Sequence, residues 1–240
     1  MQKKINTKPL AIISGGTGYL GGAIMESLLR AGWRVVSLSR AASKDSTIES
    51  YKCDITDEVS VEKTIGIITD KYGPIQACIH AASPKLSRTK LAETPLESFD
   101  AHIAVSVRGA FLLARASLPH MKEGSTYIGI TSSVIEQDKL LPPLGSYISA
   151  KYALRGFLRV LSSEVTPQNI RVYAIAPGFL KGGLNRDVPG KIIDFLSSKS
   201  DSGFASIEDI ADIVKNICVN PGAIPSGSSI SYPPRVVSPL

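Results

Sequence analysis

Short runs of apolar, mostly β-branched residues recur along the chain and alternate with longer segments whose apolar residues are spaced three or four apart. Short runs of this kind are typical of buried parallel strands, and the longer segments are typical of helices that pack one face on a sheet. Parallel neighbours need crossover helices between them, so the alternation predicts a doubly wound parallel α/β sheet of about seven strands with helices on both faces. The predicted strands are Leu10–Ile13, Trp33–Leu38, Ser50–Cys53, Ala77–Ala81, Ser125–Thr131, Ile170–Ala176 and Ser229–Tyr232. The predicted helices cover about Gly22–Ala31, Glu58–Tyr72, Leu96–His120, Tyr147–Thr166 and Ile207–Asn216.

Nothing along the 240 residues divides the chain into two units. There is no internal repeat and no linker rich in Pro, Gly or Ser, so we predict one domain over residues 1–240. A content of 43% hydrophobic and 20% charged residues excludes collagen-like, coiled-coil and disordered classes. No uninterrupted apolar run approaches the roughly 18 residues of a membrane span, and Leu10–Ile13 is too short for the core of a signal peptide. We therefore expect a soluble protein with no membrane partner, and its odd, widely spaced cysteines make a reducing cytoplasm the simplest location.

The charge and the cysteines change this picture little. The net charge of +6 comes from basic residues scattered among acidic ones, and no basic run is interleaved with aromatic residues, so a nucleic-acid partner is not expected. Cys53, Cys78 and Cys218 are odd in number, far apart and without Cys-x-x-Cys spacing, which indicates neither a disulfide framework nor a zinc site. His102 and His120 have no thiol or carboxylate at ligand spacing, so we interpret both as surface or packing residues and expect no metal.

A glycine-rich segment, Ser14–Gly21, follows the first predicted strand and opens the first predicted helix. In this context Gly15 allows a tight turn, Gly18 allows the backbone to approach a pyrophosphate, and Gly21 allows the helix to pack closely on the sheet. The N-terminus of the helix would then face the phosphates. An ordinary glycine-rich turn is the alternative, and the position between strand and helix favours a dinucleotide. The predicted contacts to that dinucleotide are Gly15, Thr17, Gly18, Tyr19, Leu20 and Gly21.

The end of the second predicted strand indicates which dinucleotide is bound. It carries no carboxylate to accept a hydrogen bond from a ribose 2′-hydroxyl, whereas Arg40 can grip a 2′-phosphate bidentately. We therefore predict NADP in preference to NAD, with Ser39 and Arg40 as contacts; the alternative for Arg40 is plain surface charge. Lys44 either adds charge or is a solvated loop lysine. Asp54 and Ile55 close the third strand, where Asp54 either accepts from the adenine amino group or starts the next turn.

Tyr147 and Lys151 are spaced four apart at the start of the helix after the fifth strand, so their side chains share one helix face. A tyrosine with a pKa of about 10 exchanges protons poorly near neutral pH unless a nearby cation stabilises its phenolate. Lys151 can supply that cation, and Ser133, at the carboxyl end of the fifth strand, can hold a carbonyl oxygen while Tyr147 protonates it. Such a pair alone is common in amphipathic helices, but after a dinucleotide loop and a Ser-Ser strand end the catalytic interpretation is preferred.

With these residues in place, the sequence resembles the short-chain dehydrogenase/reductase family over almost its whole length. The resemblance rests on Ser14–Gly21, Asp54, His80–Ser83, Ser132-Ser133, Tyr147-x-x-x-Lys151 and Ala176–Gly178. It implies a Rossmann-type sheet, a nicotinamide cofactor, a small carbonyl or alcohol substrate and a homo-dimer or homo-tetramer. Carried over by position, it makes Tyr147 the acid/base, Lys151 the residue that lowers the pKa of that tyrosine and binds ribose, and Ser133 the group that polarises the carbonyl. The further cofactor contacts that it implies are Ala81, Ala82, Tyr147, Lys151, Pro177 and Gly178.

The sequence departs from the family pattern at several positions. Histidine and alanine, at His80 and Ala81, stand where the family has two asparagines, and the asparagine of the long helix falls at Ser106. Ser133 stands 14 residues before Tyr147, one more than is usual, which leaves Ser132 as a substitute. The glycine spacing is similar to that of the extended branch of the family, whereas the chain length is similar to that of the single-domain branch.

The leading hypothesis is an NADPH-dependent carbonyl reductase or, in reverse, an alcohol dehydrogenase. The alternative is a catalytically silent nucleotide-binding regulatory or scaffold protein of the same fold, which the missing asparagines suggest. A third hypothesis, an epimerase or dehydratase of nucleotide sugars, follows from the glycine spacing, but the short C-terminal region leaves little room for a sugar nucleotide. The substrate pocket is expected from Val134–Leu144 and from a substrate loop around 181–206, whose small and apolar residues suit a modest, partly apolar ligand.

Overall fold

The computed structural model describes residues 8–41, 48–136, 143–191, 193–194, 204–233 and 235–240. Their strands form a single eight-stranded sheet of order β3-β2-β1-β4-β5-β6-β7-β8. The strands are β1 (Leu10–Ser14), β2 (Arg34–Ser39), β3 (Ser50–Lys52), β4 (Ile75–His80), β5 (Met121–Ile130), β6 (Arg171–Pro177), β7 (Ser228–Tyr232) and β8 (Val236–Pro239). The helices are α1 (Tyr19–Arg30), α2 (Glu58–Tyr72), α3 (Leu96–Ile103), α4 (Gly109–Ser117), α5 (Gly145–Val165) and α6 (Ile207–Val219).

The predicted parallel sheet is confirmed, since strands β1 to β7 all pair in parallel. The structure adds an eighth strand, β8, which pairs antiparallel with β7. An antiparallel neighbour needs no crossover helix, so the alternation of strands and helices carries no trace of it. The strand is also short, lies at the edge of the sheet and leaves Val236 and Val237 about half exposed, so its apolar pattern is weak.

Both faces of the sheet are covered by helices, which explains why the central strands β1, β4 and β6 are buried along almost their whole length. Along β1, Leu10 and Ile12 enter the core under α2, α4 and α5, whereas Ala11 and Ile13 enter the core under α1 and α6. Successive side chains of a strand point to opposite faces, so one short run feeds both cores. The chain runs from β1 through β2 to β3 on one side of β1, and α2 then carries it back to β4 on the other side. The crevice between the carboxyl ends of β1 and β4, where the strand order reverses, is where such folds bind ligands.

The helix predicted over Leu96–His120 is continuous but not uniformly α-helical. A π-helical turn at Ala104–Arg108 separates α3 from α4, and a 3-10 turn ends the segment at Leu118–His120. By length and composition this segment is apolar enough to cross a membrane, with a mean hydropathy of 1.2. In the structure α4 packs on β4 and β5, α3 packs on α5, and 44% of the apolar stretch is buried.

Candidate active site

The glycine loop between β1 and α1 has no space for side chains at Gly15 and Gly21, where an added Cβ would meet backbone, and at Gly16 a Cβ would lie 2.7 Å from Oγ of Ser37. Gly15 has a φ of +77°, and a Cβ there would lie 2.8 Å from the Cα of Ala82. A Cβ on Gly21 would lie 2.1 Å from the carbonyl oxygen of Gly15, so the start of α1 sits directly against the turn. Gly18 is the N-cap of α1, and in the described residues no side chain caps this end of the helix and no acidic residue lies in its first turn. A backbone cradle at an uncapped helix N-terminus fits the diphosphate of a dinucleotide.

The segment after β6 reaches across to this loop. The hydroxyl of Tyr19 donates a hydrogen bond of 2.9 Å to the carbonyl oxygen of Lys181. Gly182 and Gly183 both have positive φ angles, and a Cβ on either would lie within about 3 Å of the Tyr19 ring. An open cavity of about 430 Å³ lies beside this contact and is lined partly by Tyr19 and Phe204. The first residues of the predicted substrate loop therefore lie against the glycine loop, while residues 192 and 195–203 of that loop lie outside the described part.

Asp54, just after β3, begins a turn. Its Oδ1 accepts hydrogen bonds from the backbone N–H of Thr56, at 2.9 Å, and from the Thr56 hydroxyl, at 2.7 Å. These two bonds lower the pKa of Asp54, and the positive charge of Arg40, which follows β2, adds to the effect. This turn is one of the two interpretations of Asp54 that the sequence allows. The other, acceptance of a hydrogen bond from an adenine amino group, stays a prediction, because the turn uses only one carboxylate oxygen of Asp54.

Two further predicted cofactor contacts, Ser39 and Ile55, differ in burial: Ser39 is partly exposed and Ile55 lies in the core. The Ser39 hydroxyl donates a hydrogen bond of 2.6 Å to the carbonyl oxygen of Ala41. Ile55 is buried, and a Cβ on Gly109 would lie 3.1 Å from its Cγ2, so this side chain packs under α4. Lys44 lies outside the described residues.

The carboxyl end of β4 is joined to the glycine loop through a histidine. The Ser14 hydroxyl and His80 Nδ1 form a buried hydrogen bond of 2.9 Å, and the Ala81 backbone N–H donates to the Ser14 carbonyl oxygen at 3.0 Å. Burial lowers the pKa of His80 to about 3, and the nearby charge of Lys151 contributes to the lowering. In the sequence His80 stands out only as a position where the family has asparagine; in the structure it is a neutral histidine that ties β4 to β1.

Tyr147 and Lys151 lie together near the start of α5, as their spacing predicted. The Lys151 ammonium is 5.5 Å from the centre of the Tyr147 ring and donates a hydrogen bond of 2.7 Å to the carbonyl oxygen of Ile130 at the end of β5. Lys151 is 3% exposed, and burial lowers its pKa to about 8. The pKa of Tyr147 is raised, because burial outweighs a hydrogen bond with the Ser132 side chain. The predicted lowering of the Tyr147 pKa by Lys151 is therefore not found; desolvation of the phenolate is the larger effect.

The serine next to Tyr147 is Ser132 rather than Ser133. The Ser132 side chain makes the hydrogen bond with Tyr147, and its Oγ also accepts from the backbone N–H of Val134 at 3.4 Å. Ser133 begins a 3-10 turn, Ser133–Glu136, and in the described residues its hydroxyl makes no hydrogen bond to Tyr147. The structure thus brings Ser132, Tyr147 and Lys151 together, and the polarising role of Ser133 stays a prediction.

The end of β6 closes the crevice from the other side. Pro177 is the last residue of β6, and the Gly178 N–H donates a hydrogen bond of 2.7 Å to the Tyr232 carbonyl oxygen at the end of β7. A Cβ on Gly178 would lie 3.0 Å from that oxygen, a tight contact, so the close pairing of these strand ends favours glycine. The contact of Pro177 and Gly178 with a nicotinamide stays a prediction.

Sequence reasoning missed a second histidine at the site. His102, interpreted from the sequence as a surface or packing residue, is 1% exposed and lies edge-on to the Tyr147 ring, with the ring centres 6.0 Å apart and the planes at 75°. Burial and the charge of Lys151 lower its pKa. Ser106, four residues later in the π-helical turn, is also fully buried. The only indication in the sequence was a pair of polar residues four apart in an apolar stretch of helix.

The cysteines take no part in this arrangement. Cys53, Cys78 and Cys218 are free and buried, and burial raises the pKa of Cys78 and of Cys218 to about 12. The described residues contain no group of three or more His, Cys, Asp or Glu that could hold a metal ion. The chemistry of the described site therefore lies in its hydroxyl, ammonium and imidazole groups.

Comparison with known proteins identifies the family. The family model described as enoyl-(acyl carrier protein) reductase matches residues 20–230. The chain belongs to the short-chain dehydrogenase/reductase family. As a member of this family it is an oxidoreductase of the kind that uses NAD or NADP and acts on small molecules.

Curated short-chain dehydrogenases/reductases align with most of the chain at modest identity. Tropinone reductase-like 3 of Erythroxylum coca is 28% identical over 205 residues, which are 80% of this chain and 74% of that protein. Dehydrogenase/reductase SDR family member 4 of Bos taurus is 25% identical over 236 residues, 92% of this chain and 84% of that protein.

Solved structures share the fold at similar identities. A short-chain dehydrogenase/reductase from Serratia marcescens superposes with a TM-score of 0.85 at 24% identity, covering 94% of this chain and 97% of the other. The RhlG/NADP active-site complex of Pseudomonas aeruginosa gives 0.85 at 19% identity and 95% coverage of both chains. A 3-ketoacyl-(acyl-carrier-protein) reductase from Brucella melitensis complexed with NADH gives 0.81 at 20% identity, covering 93% and 96%. Neighbours of this fold thus include complexes with either nicotinamide cofactor.

Proposed function

We propose that the protein is an NADPH-dependent carbonyl reductase, which in the reverse direction oxidises an alcohol. The observation that carries this proposal is the convergence of Tyr147, Lys151 and a serine hydroxyl at the carboxyl end of β5, across the crevice from the glycine loop. When bound, the nicotinamide would supply the hydride. The protein's own residues would orient the carbonyl, hold its oxygen and provide the proton.

Tyr147 is the proton donor in this mechanism. Its raised pKa keeps the phenol protonated at neutral pH, and the growing negative charge on a carbonyl oxygen would draw the proton from it. The hydroxyl of Ser132 or Ser133 would donate a hydrogen bond to the same oxygen. Lys151, held against Ile130, would stabilise the phenolate that remains and bind the ribose. Because Lys151 and Tyr147 are largely shielded from water, these charge interactions would be stronger than in solution.

The proposed preference for NADPH depends on Arg40. The N-terminus of α1 would take the diphosphate, and Arg40 would bind a 2′-phosphate that NADH lacks. Fluorescence titration of the purified protein should therefore give tighter binding of NADPH than of NADH. In Arg40→Ala, NADPH should bind about 10- to 100-fold more weakly, as expected for the loss of charge-assisted hydrogen bonds, while NADH should bind as before. An equal loss for both cofactors would remove Arg40 from the explanation.

The proposed role of Tyr147 is tested by Tyr147→Phe, with NADPH consumption followed on a panel of ketones and with NADP on a panel of alcohols. This substitution removes the hydroxyl group that would donate the proton, so it should lower turnover by about 1000-fold or more and leave NADPH binding within about twofold of the wild type. Tyr152→Phe, at an exposed position on the same helix, is the matched control and should keep full activity. A Tyr147→Phe enzyme that turns over normally would exclude this mechanism.

A silent nucleotide-binding regulatory or scaffold protein is the second candidate function. His80 and Ser106 stand where the family has asparagines, which favours it, whereas Tyr147 and Lys151 remain together, which counts against it. Tight NADPH binding with no turnover on any ketone or alcohol would support this alternative. The nucleotide-sugar epimerase or dehydratase stays the weakest candidate, because only the glycine spacing suggests it.

The remaining expectations concern the setting of the enzyme. We propose a homo-dimer or homo-tetramer in the cytoplasm, with neither nucleic acid nor membrane as a partner. Three buried free cysteines support a reducing compartment. Large apolar side chains are exposed on the outer faces of α3, α4 and α5, namely Leu96, Phe111 and Val160, which supports association through these helices. Light scattering tests the assembly, and a monodisperse monomer would contradict it.

A further inference from the structure

The segments that follow β4 and β6 meet across the carboxyl end of β5. The Arg88 guanidinium donates a hydrogen bond of 2.9 Å from Nη2 to Oδ1 of Asn185, and the Lys85 ammonium lies 3.7 Å from the Asp187 carboxylate. Because β5 stands between β4 and β6 in the sheet, a contact between the segments that leave those two strands spans the end of β5. The candidate active site lies at that end, so the two segments border it.

A further contact fixes the segment after β4 beside Tyr147. A Cβ on Gly145 would lie 2.9 Å from Cδ1 of Leu91, so Leu91 packs closely on the first turn of α5. Gly145 is the first residue of α5, and Tyr147 follows two residues later. Arg88 stands three residues before Leu91 in the same segment. The proposed proton donor and Arg88 are therefore held at the same opening.

The two segments, residues 84–94 and 179–191, form a basic rim around this opening. Together they contain six Lys or Arg and two Asp or Glu, so these 24 residues carry a net charge of +4. The whole chain of 240 residues carries +6, so a tenth of the sequence holds most of the excess charge. The basic residues of the rim are all exposed: Lys85, Arg88, Lys90, Lys181, Arg186 and Lys191. Charge of one sign at the mouth of a cleft raises the local concentration of ligands of the opposite sign.

The two acidic residues of the rim are already paired. Asp187 lies 3.7 Å from the Lys85 ammonium and 3.8 Å from the Arg186 guanidinium, and Glu93 lies 3.8 Å from the Lys90 ammonium. All of these groups are well exposed, so the pairs are weak and easily exchanged for other partners. The acidic residues thus offset only part of the positive charge of the rim.

Arg88 is oriented without being neutralised. Its partner Asn185 donates a hydrogen bond of 3.1 Å from Nδ2 to the Leu180 carbonyl oxygen, which leaves the amide oxygen turned to Arg88. An amide oxygen fixes a guanidinium but carries no charge, and in the part of the chain that the structure describes no carboxylate lies within ion-pair distance of Arg88. A guanidinium has five N–H donors in a planar fork, so donors remain for the two oxygens of a carboxylate or phosphate.

We propose that the substrate carries a carboxylate or phosphate group, and that Arg88, oriented by Asn185, binds this group while the carbonyl of the substrate faces Tyr147. Bidentate charge-assisted hydrogen bonds from arginine are strong and directional, so they would hold one end of a small molecule in a fixed position. Holding that end restricts the orientations of the carbonyl at the other end. Arg88 is then a specificity-determining residue. The inference rests on the proposed reductase function for its kinetic part only.

The probes are carbonyl compounds that differ in charge and little in shape. Pyruvate, acetoacetate and levulinate are each compared with the methyl ester, and dihydroxyacetone phosphate is compared with dihydroxyacetone, all with NADPH at saturation. In the wild type, kcat/KM should be about 10- to 100-fold higher for the charged member of at least one pair, as expected for charge-assisted hydrogen bonds. Preference among the oxo acids indicates a carboxylate, and preference for dihydroxyacetone phosphate indicates a phosphate.

The decisive variant is Arg88→Gln, which removes the charge and keeps a polar side chain. The ratio of kcat/KM between the charged and the neutral member of the preferred pair should fall about 10- to 100-fold, and comparing ratios cancels the different reactivities of acid and ester. Arg88→Lys keeps the charge without the planar fork and should keep part of the preference. Arg30→Gln removes the same charge at the other end of α1, before β2, and is the matched control that should keep the wild-type ratio.

Two results would overturn the inference. The same ratio in the wild type and in Arg88→Gln for every pair would show that Arg88 recognises no anionic group. A loss of NADPH affinity in Arg88→Gln as large as the loss of preference would assign Arg88 to the phosphates of the cofactor; we expect NADPH affinity within about twofold of the wild type.

Calorimetry without turnover separates this inference from the proposed function. With oxidised NADP bound the probes cannot be reduced, so titration of the NADP-loaded protein measures binding alone. The charged member of at least one pair should bind about 10-fold more tightly than the neutral member, and Arg88→Gln should lose the difference. This difference in a protein that reduces nothing would refute the reductase proposal and leave the anion site standing. Reduction of neutral ketones without any such difference would refute the anion site and leave the reductase standing.

Discussion

The two sides of the crevice are built by opposite means. In the turn between β1 and α1 the site consists of backbone, and its shape depends on the absence of side chains at Gly15 and Gly21. At the ends of β4 and β5 it consists of buried ionisable side chains, with Lys151 and His80 held away from their usual pKa values. The first side should therefore be insensitive to pH and intolerant of added atoms. The second should tolerate small changes of shape and respond strongly to changes of charge.

The largest effect is expected from adding one methyl group on the backbone side. In Gly21→Ala the new Cβ would lie 2.1 Å from the Gly15 carbonyl oxygen, and a backbone atom cannot move aside as a flexible side chain can. We expect the free energy of unfolding to fall by about 3 kcal/mol or more and NADPH affinity to fall at least in proportion. Urea unfolding and fluorescence titration measure the two quantities. A variant with wild-type affinity would show that the loop adapts and that the backbone side of the crevice tolerates added atoms.

A large effect of pH is expected on the side-chain half. Between pH 6.5 and about pH 3 an unfolded histidine takes up a proton that buried His80 refuses, so acid favours the unfolded state. This group alone should remove about 3 kcal/mol of stability between pH 6.5 and pH 4, since each unit of pKa difference is worth 1.36 kcal/mol. His80→Asn cannot titrate and should make urea unfolding less dependent on pH over that range. His120→Asn, at an exposed position, should leave the dependence as in the wild type, and the same slope in all three proteins would contradict the assignment.

An intermediate effect is expected from an ion pair that connects the 3-10 turn Ser133–Glu136 to the edge of the sheet at β7 and β8. Glu136 pairs with Arg155 at 3.0 Å and accepts a hydrogen bond from Ser229 at 3.0 Å, while Arg155 also donates to the Pro239 carbonyl oxygen. Glu136→Gln keeps the shape and removes the charge from this largely buried cluster, so unfolding should become easier by about 1–2 kcal/mol. Glu62→Gln, which weakens an exposed pair with Arg115, should change stability by less than about 0.5 kcal/mol. Equal effects would show that burial does not set the value of these pairs.

The two sides also differ in how far the sequence reveals them. The glycine loop and the Tyr147–Lys151 pair were predictable, because each depends on spacing within one or two neighbouring elements. The contact of His102 with Tyr147 was not, because it depends on how α3 packs on α5 and on the phase that the π-helical turn gives to α3. The raised pKa of Tyr147 was missed for a related reason: spacing places a cation nearby, but only packing reveals how much water is lost.

The smallest effect is expected at Gly22, the residue after Gly21 in α1. A Cβ on Gly22 would lie 3.6 Å from the Gly16 carbonyl oxygen, which is ordinary contact, and the residue is inside α1. Gly22→Ala should therefore stabilise the protein by about 0.5–1 kcal/mol through helix propensity and leave NADPH binding unchanged. Thermal unfolding beside Gly21→Ala provides the measurement. A destabilised Gly22→Ala would mean that side chains are excluded throughout this segment, and not only where an added Cβ meets backbone, at Gly15 and Gly21.

The π-helical turn at Ala104–Arg108 has a consequence for insertions and deletions. A regular α-helix rotates by about 100° per residue, and a π-helical turn accommodates one residue more than the regular turn it replaces. Deleting Val105 would allow the segment to become uniformly α-helical and would turn α3 by about that angle relative to α4. His102 would then be carried off the α5 interface although no catalytic side chain had been altered. The facing of two helices is thus encoded here by a count of residues rather than by their identity.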